Sequence, residues 1–230
     1  MNWVILQNEA QPLPLASQAD AEGLVAIGGK LTSVRLKEAY SKGIYPWYDE
    51  ESPILWWSPD PRMVLFPEEL HIPKSMRPLL HKKAFRITLN AAFEDVIRKC
   101  AETARPDQDG TWILDEIISA YVQWHREGFV HSFEAWLDEE LVGGFYGVNI
   151  GKVFYGESMF ASVPNASKYA FIRGVQWMQE QGVELIDCQM ETDHLKRFGA
   201  VSIDREVFIQ QVDRLVSSQN AIPSEIRDLP

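Results

Sequence analysis

A chain of 230 residues, 46% hydrophobic and 24% charged, holds enough apolar material for one large core or a core with a smaller unit attached. Its net charge of −11 argues against a general nucleic-acid binder, and two cysteines, Cys100 and Cys188, exclude a disulfide framework and a thiolate metal cluster. No apolar run reaches membrane-spanning length and residues 1–9 lack the basic and apolar regions of a signal peptide, so no membrane partner and a cytoplasmic address are expected.

Residues 1–62 read as a small N-terminal domain with one clear helix. Thr32 or Ser33 is its N-cap, Val34, Leu36 and Ala39 follow, and Gly43 stops it. Loops rich in Pro and aromatics run around it, Tyr45-Pro46-Trp47-Tyr48 and then Pro53 through Arg62. So many rings are costly to leave in water, and packing is the expected fate of most of them. Next, between His71 and Arg86, come Lys74, Arg77, Lys82, Lys83 and Arg86 with no acid. A solvated surface segment is the simpler reading; a dock for a phosphate backbone is the functional one.

From residue 63 to 230 the pattern is more regular. Phe93–Cys100 and Leu114–Gly128 read as helices, and Phe129–Leu137, Leu141–Val148 and Lys152–Glu157 as a three-stranded meander. Asn165 is expected to cap a helix whose Phe171, Val175 and Met178 share one face, with Gly182 as its stop. Val183–Asp187 reads as a short buried strand, Asp193–Phe198 as a helix ending at Gly199, and Glu206–Gln211 as a last strand. Meander, helix, strand, helix, strand is an α+β order, as in acetyltransferase-like (GNAT-type) folds. By itself that order names no reaction.

Three strings carry the chemistry: Gly143-Gly144-Phe145-Tyr146-Gly147, Gly156-Glu157-Ser158-Met159-Phe160 and Ile186-Asp187-Cys188-Gln189. They place an acid, Glu157 or Asp187, at the end of each of two expected core strands, with aromatic and Met side chains close by. For either acid alone, an ordinary strand-end carboxylate is the simpler reading; two acids in such strings favour a site. Spacing by two turns Asp187 and Gln189 to one face and Cys188 to the other. Phe145, Phe154, Met159, Phe171 and Ile186 would, on pattern alone, be plain core.

These strings, with Gly23–Leu31, Gly43-Ile44-Tyr45-Pro46-Trp47, Pro53–Arg62, Gly110-Thr111-Trp112-Ile113, Asn165-Ala166-Ser167-Lys168 and Asp193-His194-Leu195 leading to Gly199-Ala200, run nearly end to end. The chain thereby resembles the leucyl/phenylalanyl-tRNA–protein transferase family. The resemblance implies an enzyme moving Leu or Phe from aminoacyl-tRNA to the α-amine of a protein or peptide with N-terminal Arg or Lys, marking it for degradation. It implies no metal, no cofactor and no acyl-CoA. It assigns Asp187 and Gln189 to the reacting centre, Gln189 orienting the amine while Asp187 holds the charge arrangement or accepts the proton. Glu157 would attract the cationic acceptor residue. Phe145, Phe154, Met159, Phe171 and Ile186 would form the donor side-chain pocket, with Phe145 where relatives carry Met. Trp47, Trp112 and Tyr121 would stack on the terminal adenosine, and Lys74, Arg77, Lys82 and Lys83 would hold the tRNA backbone.

The remaining features read plainly. His71, His81, His125, His131 and His194 lack metal-ligand spacing, His194 suits capping or packing, and Gly28-Gly29 belongs to no phosphate loop. An acyl-CoA acetyltransferase would show glycines where Phe160–Ser167 stands without any. An RNA-binding adaptor would leave Glu157, Asp187 and Gln189 without a task.

Overall fold

The computed structural model describes residues 3–103 and 111–230, so Gly110 of the Gly110–Ile113 string lies outside it. In the N-terminal segment β1 (Val4–Leu6), β2 (Leu24–Gly28), α1 (Ser33–Ser41), β3 (Tyr45–Pro46) and β4 (Leu55–Trp57) follow one another. The four strands form a mixed sheet ordered β1-β2-β4-β3, so the aromatic loops expected from sequence are in part strand. Thr32 is the N-cap of α1, accepting the Arg35 N–H at 3.3 Å, and Gly43 leaves the helix at φ 71°. Trp56 is fully buried because its indole N–H finds the Gly28 carbonyl at 2.8 Å.

The rest is β5 (Arg62–Leu65), α2 (Arg77–His81), β6 (Arg86–Leu89), α3 (Phe93–Glu102), α4 (Asp115–Arg126), β7 (Val130–Leu137), β8 (Glu140–Ile150), β9 (Val153–Ala161), α5 (Ala166–Glu180), β10 (Leu185–Gln189), α6 (Asp193–Lys196), β11 (Val201–Ile203), α7 (Arg205–Leu215) and β12 (Arg227–Leu229). Eight strands make a second mixed sheet, ordered β11-β5-β10-β9-β8-β7-β6-β12, with the expected meander as β7, β8 and β9. Alternation sorts the side chains. Val64, Val153, Tyr155 and Leu185 face α1, α3, α4 and α7, whereas Met63, Leu65, Phe154 and Ile186 face α5. The first of these clusters also takes in Leu6, Val25 and Trp56, so one core runs between the two sheets.

Two expectations change and a third is refined. Glu206–Gln211 is helix, part of α7, because Phe208, Val212 and Leu215 form one buried stripe; the β-favouring Val207-Phe208-Ile209 masked that period. Asn165 is the N-cap of α5 as expected, but it caps through its backbone, at φ 71° with its carbonyl accepting the Tyr169 N–H at 2.9 Å, and its side chain makes no cap bond. Glu157 is not at a strand end. On β8 Tyr146 and Gly147 are consecutive, yet their partners on β9 are Ser158 and Gly156, so Glu157 is the extra residue of a bulge in mid-strand.

A second bulge lies opposite. Asp187 pairs with Val64 and Gln189 with Met63, so Cys188 is extra there, and Gln189 adopts φ 62°. β9 and β10 run parallel only from Leu185↔Val153 to Asp187↔Tyr155; beyond that β9 continues beside β8 and β10 leaves. The sheet forks at this point. Gly147 stands beside the bulge because an added Cβ would fall 2.2 Å from the Tyr155 carbonyl oxygen.

Candidate active site

A cavity of about 670 Å³ opens at the fork. Phe145, Phe154, Met159, Phe171 and Ile186 all line it, on the side of the sheet that carries α5. Phe145 stacks on Phe133 at 4.7 Å and meets the edges of Phe154 and Phe171. The helix backbone approaches this ring closely at Gly174, where a Cβ would come within 2.6 Å of Phe145 Cζ. The five residues that pattern alone gave to core thus surround open space.

Across the fork, Tyr45, Trp47, Trp112, Glu157, Asp187 and Gln189 line the same cavity. Trp47 is half-buried and meets the edge of Trp57, whose indole N–H bonds the Trp47 carbonyl at 2.7 Å. Tyr121 is a correction. It is fully buried and absent from the lining, so it offers no face to a base; its hydroxyl instead lies 2.5 Å from that of Tyr40.

Asp187 is held by Arg62. Nε and Nη2 of the guanidinium reach the two carboxylate oxygens at 2.8 and 2.6 Å, and neither side chain is exposed. The Tyr45 and Phe208 rings sandwich the guanidinium at 4.8 and 4.5 Å. Burial works against the Arg62 charge, but the Asp187 carboxylate overcomes it and holds the guanidinium pKa above its ordinary value. Asp187 Oδ1 also accepts the Gln189 N–H at 2.8 Å, which pins the bulge. Of the roles open to Asp187, this geometry supports holding charge.

Glu157 sits beyond the pair. Its Oε1 accepts from the Tyr40 hydroxyl at 2.6 Å and from Gln189 Nε2 at 3.3 Å. Burial pushes its carboxyl up to about 8, the Tyr40 bond working against that rise and the Asp187 charge with it. Burial likewise pushes the Cys188 thiol up, which leaves it a neutral packing group facing the α5 side. His194, read as a capping or packing residue, lines the cavity with its ring edge-on to Phe198, and burial lowers its pKa, aided by Lys168 and Arg197.

The basic run lies apart from the cavity. Lys74, Arg77, Lys82 and Lys83 are exposed around α2, with no ion pair to another described residue. The His71 N–H bonds the Phe198 carbonyl at 2.9 Å, tying the start of the run to the end of the α6 segment that borders the cavity. Among the described residues no cluster of His, Cys, Asp or Glu is disposed to hold a metal ion, and no helix is long and apolar enough to cross a membrane.

Tyr40, Tyr45 and Arg62 belong to the site and were not singled out in the sequence. Tyr40 follows Leu36 at helical spacing and reads as core; a clue for Arg62 is that a charge opens the apolar run Met63–Phe66.

An apolar pocket beside a carboxyl, an amide and a buried ion pair suits a group-transfer enzyme, which must seat a hydrophobic group next to polar side chains. The leucyl/phenylalanyl-tRNA protein transferase model matches residues 64–213, and the model of that family's N-terminal domain matches residues 29–60. Proteins named leucyl/phenylalanyl-tRNA–protein transferase are similar over most of the chain. That of Anaeromyxobacter sp. (strain K) is 54% identical over 201 residues, 87% of this chain and 86% of its own. That of Flavobacterium johnsoniae is 52% identical over 85% of this chain and 92% of its own, and that of Saccharophagus degradans 47% over 94% and 89%. The chain belongs to the leucyl/phenylalanyl-tRNA–protein transferase family and is an aminoacyltransferase.

Proposed function

We propose that this chain moves Leu or Phe, with Met a third donor to be tested, from its tRNA ester to the α-amine of proteins beginning with Arg or Lys, marking them for degradation in the cytoplasm. The observation that carries this reading is the forked cavity, whose apolar half meets Glu157 and Gln189 on the other. An aminoacyl ester is already activated; what its aminolysis needs is a neutral, oriented amine and a place for the proton. Phe145, Phe154, Met159, Phe171 and Ile186 take the donor side chain, Met159 adapting to either shape. Trp47 and Trp112 flank the terminal adenosine, and Lys74, Arg77, Lys82 and Lys83 hold tRNA phosphates. Gln189 orients the amine through its carbonyl, Asp187 holds the charge arrangement with Arg62, and Glu157 draws the cationic acceptor residue.

Residues 1–62 act as a small domain beside an acetyltransferase-like one of residues 63–230, a reading supported by the fork between parallel β9 and β10. The turn of Ser162–Asn165 before α5 contains no glycine to cradle a pyrophosphate, which supports tRNA rather than acyl-CoA as the donor carrier. The test mixes the protein with Phe-tRNA and two peptides, one beginning with Arg and one with Asp, and reads masses. Phe added to the Arg peptide alone is the expected result; addition to neither overturns the reading.

A further inference from the structure

The two carboxylates of the site are not equivalent toward a proton. Both oxygens of Asp187 are engaged by Arg62, and Oδ1 also accepts the Gln189 N–H. In Glu157, Oε1 is filled by Tyr40 and Gln189, while Oε2 has no hydrogen-bond partner among the described residues, although the residue lines the cavity. A carboxylate oxygen enclosed by protein without a donor is costly unless a proton or a cation arrives there.

From this geometry we propose that Glu157 Oε2 takes the proton released by the acceptor's α-amine. The proposal rests on the transferase reading above. With the acceptor bound as an ammonium, one N–H bond breaks and its proton forms an O–H bond at Oε2, the electron pair staying on nitrogen. That pair forms the C–N bond at the ester carbonyl carbon. The C–O bond to ribose breaks with its electrons on the ribose oxygen, which takes the second proton shed by nitrogen. Glu157 then returns its proton to water. Every proton and electron pair is placed, and no further reactant is needed.

The groups facing Glu157 are Tyr40 from α1, Tyr121 behind it from α4, Tyr45 from β3, Asp187 from β10 and Arg62 from β5. Burial dominates among them and brings the Glu157 carboxyl to about 8. A peptide α-amine lies at about 7.7–8.0, so the proton moves between groups of nearly equal affinity. The Tyr40 bond favours the ionised form, which makes it a handle on the same equilibrium.

The experiment measures kcat at saturating Phe-tRNA with an Arg-initial peptide from pH 6 to 9.5, for the parent enzyme, Glu157→Gln and Tyr40→Phe. Glu157→Gln is expected to lower kcat by roughly 100-fold or more, in addition to any rise in peptide KM from the lost attraction for the cationic acceptor residue. Tyr40→Phe removes a donor to the ionised carboxylate and is expected to shift the acidic limb of the profile to higher pH. A Glu157→Gln enzyme that loses only peptide affinity, or keeps its kcat, overturns the proposal, as does an unmoved limb in Tyr40→Phe. Absence of transfer by the parent enzyme would instead overturn the transferase reading, so the two failures are distinct.

Discussion

Arg62 and Asp187 form a two-bond ion pair with no solvent exposure on either side chain, at the point where β10 parts from β9. Removing one partner leaves the other charged and buried, which typically costs about 3–5 kcal/mol. Asp187→Ala is therefore expected to lower the urea midpoint strongly, and Arg62→Met combined with Asp187→Leu to lower it less than either single change. In transfer assays Asp187→Ala is expected to lose roughly 100-fold in kcat while aminoacyl-tRNA affinity changes less than about threefold. Equal losses in both would move Asp187 from the reacting centre to donor binding.

Phe145 lines the apolar half of the cavity and packs against Phe133 and Phe171. Phe145→Met replaces a fixed ring with a flexible chain and gives a larger donor side chain more room. In competition between Phe-tRNA and Leu-tRNA, the ratio of kcat/KM is expected to move toward Phe by about threefold to tenfold. The stability loss should stay under about 1.5 kcal/mol, as for a near volume-conserving change. An unchanged ratio would show that Phe145 does not set donor choice.

Charge reversal at Lys82 and Lys83 tests the exposed basic run. Binding to full tRNA is expected to weaken and its salt dependence to fall by about two counterions, one for each lysine. A minimal aminoacyl-adenosine donor, which lacks the acceptor-stem phosphates, is expected to react as before. Equal damage to both donors would remove the run from the tRNA path.

Trp112 is nearly buried yet lines the cavity. If it carries the terminal adenosine, Trp112→Ala weakens aminoacyl-adenosine binding by about 1–3 kcal/mol, measured as the dissociation constant of a non-reactive amide analogue. Undiminished binding would exclude the ring as a stacking platform.

Glu134 provides a pH test of stability away from the site. It is fully buried, accepts from Ser132, Thr88 and the Ala91 and Ala92 N–H groups at the start of α3, and burial pushes its carboxyl up to about 7. In the unfolded chain the same group ionises near 4.5. The folded state thus holds the proton more tightly, so its stabilisation is full below about 4.5 and is lost as pH rises through about 7. A shift of this size corresponds to about 3 kcal/mol. Urea unfolding at pH 5 and pH 8 is expected to show a smaller decline for Glu134→Gln than for the parent.

The family and the order of the main elements were legible in the sequence, because periodicity and long ordered strings are local properties of the chain, whereas pattern alone gave Phe145, Phe154, Met159, Phe171 and Ile186 to the core. The helix of Ser33–Ser41, the meander and α5 all stand where their patterns put them. The last expected strand did not, since a β-favouring triplet concealed a helical stripe whose partner is the core.

What only the tertiary structure decided is which side chains meet across the fork. Bulges at Glu157 and Cys188 depend on partner strands, and no spacing within one strand announces them. Tyr121, expected at the ligand, is committed to Tyr40, while Tyr40 and Arg62, 117 and 125 residues distant from their partners Glu157 and Asp187, hydrogen-bond the two acids. Composition fixes how many carboxylates there are. Burial and the neighbours brought by folding determine which one binds a proton, because ionisation depends on local water and charge and not on position along the chain.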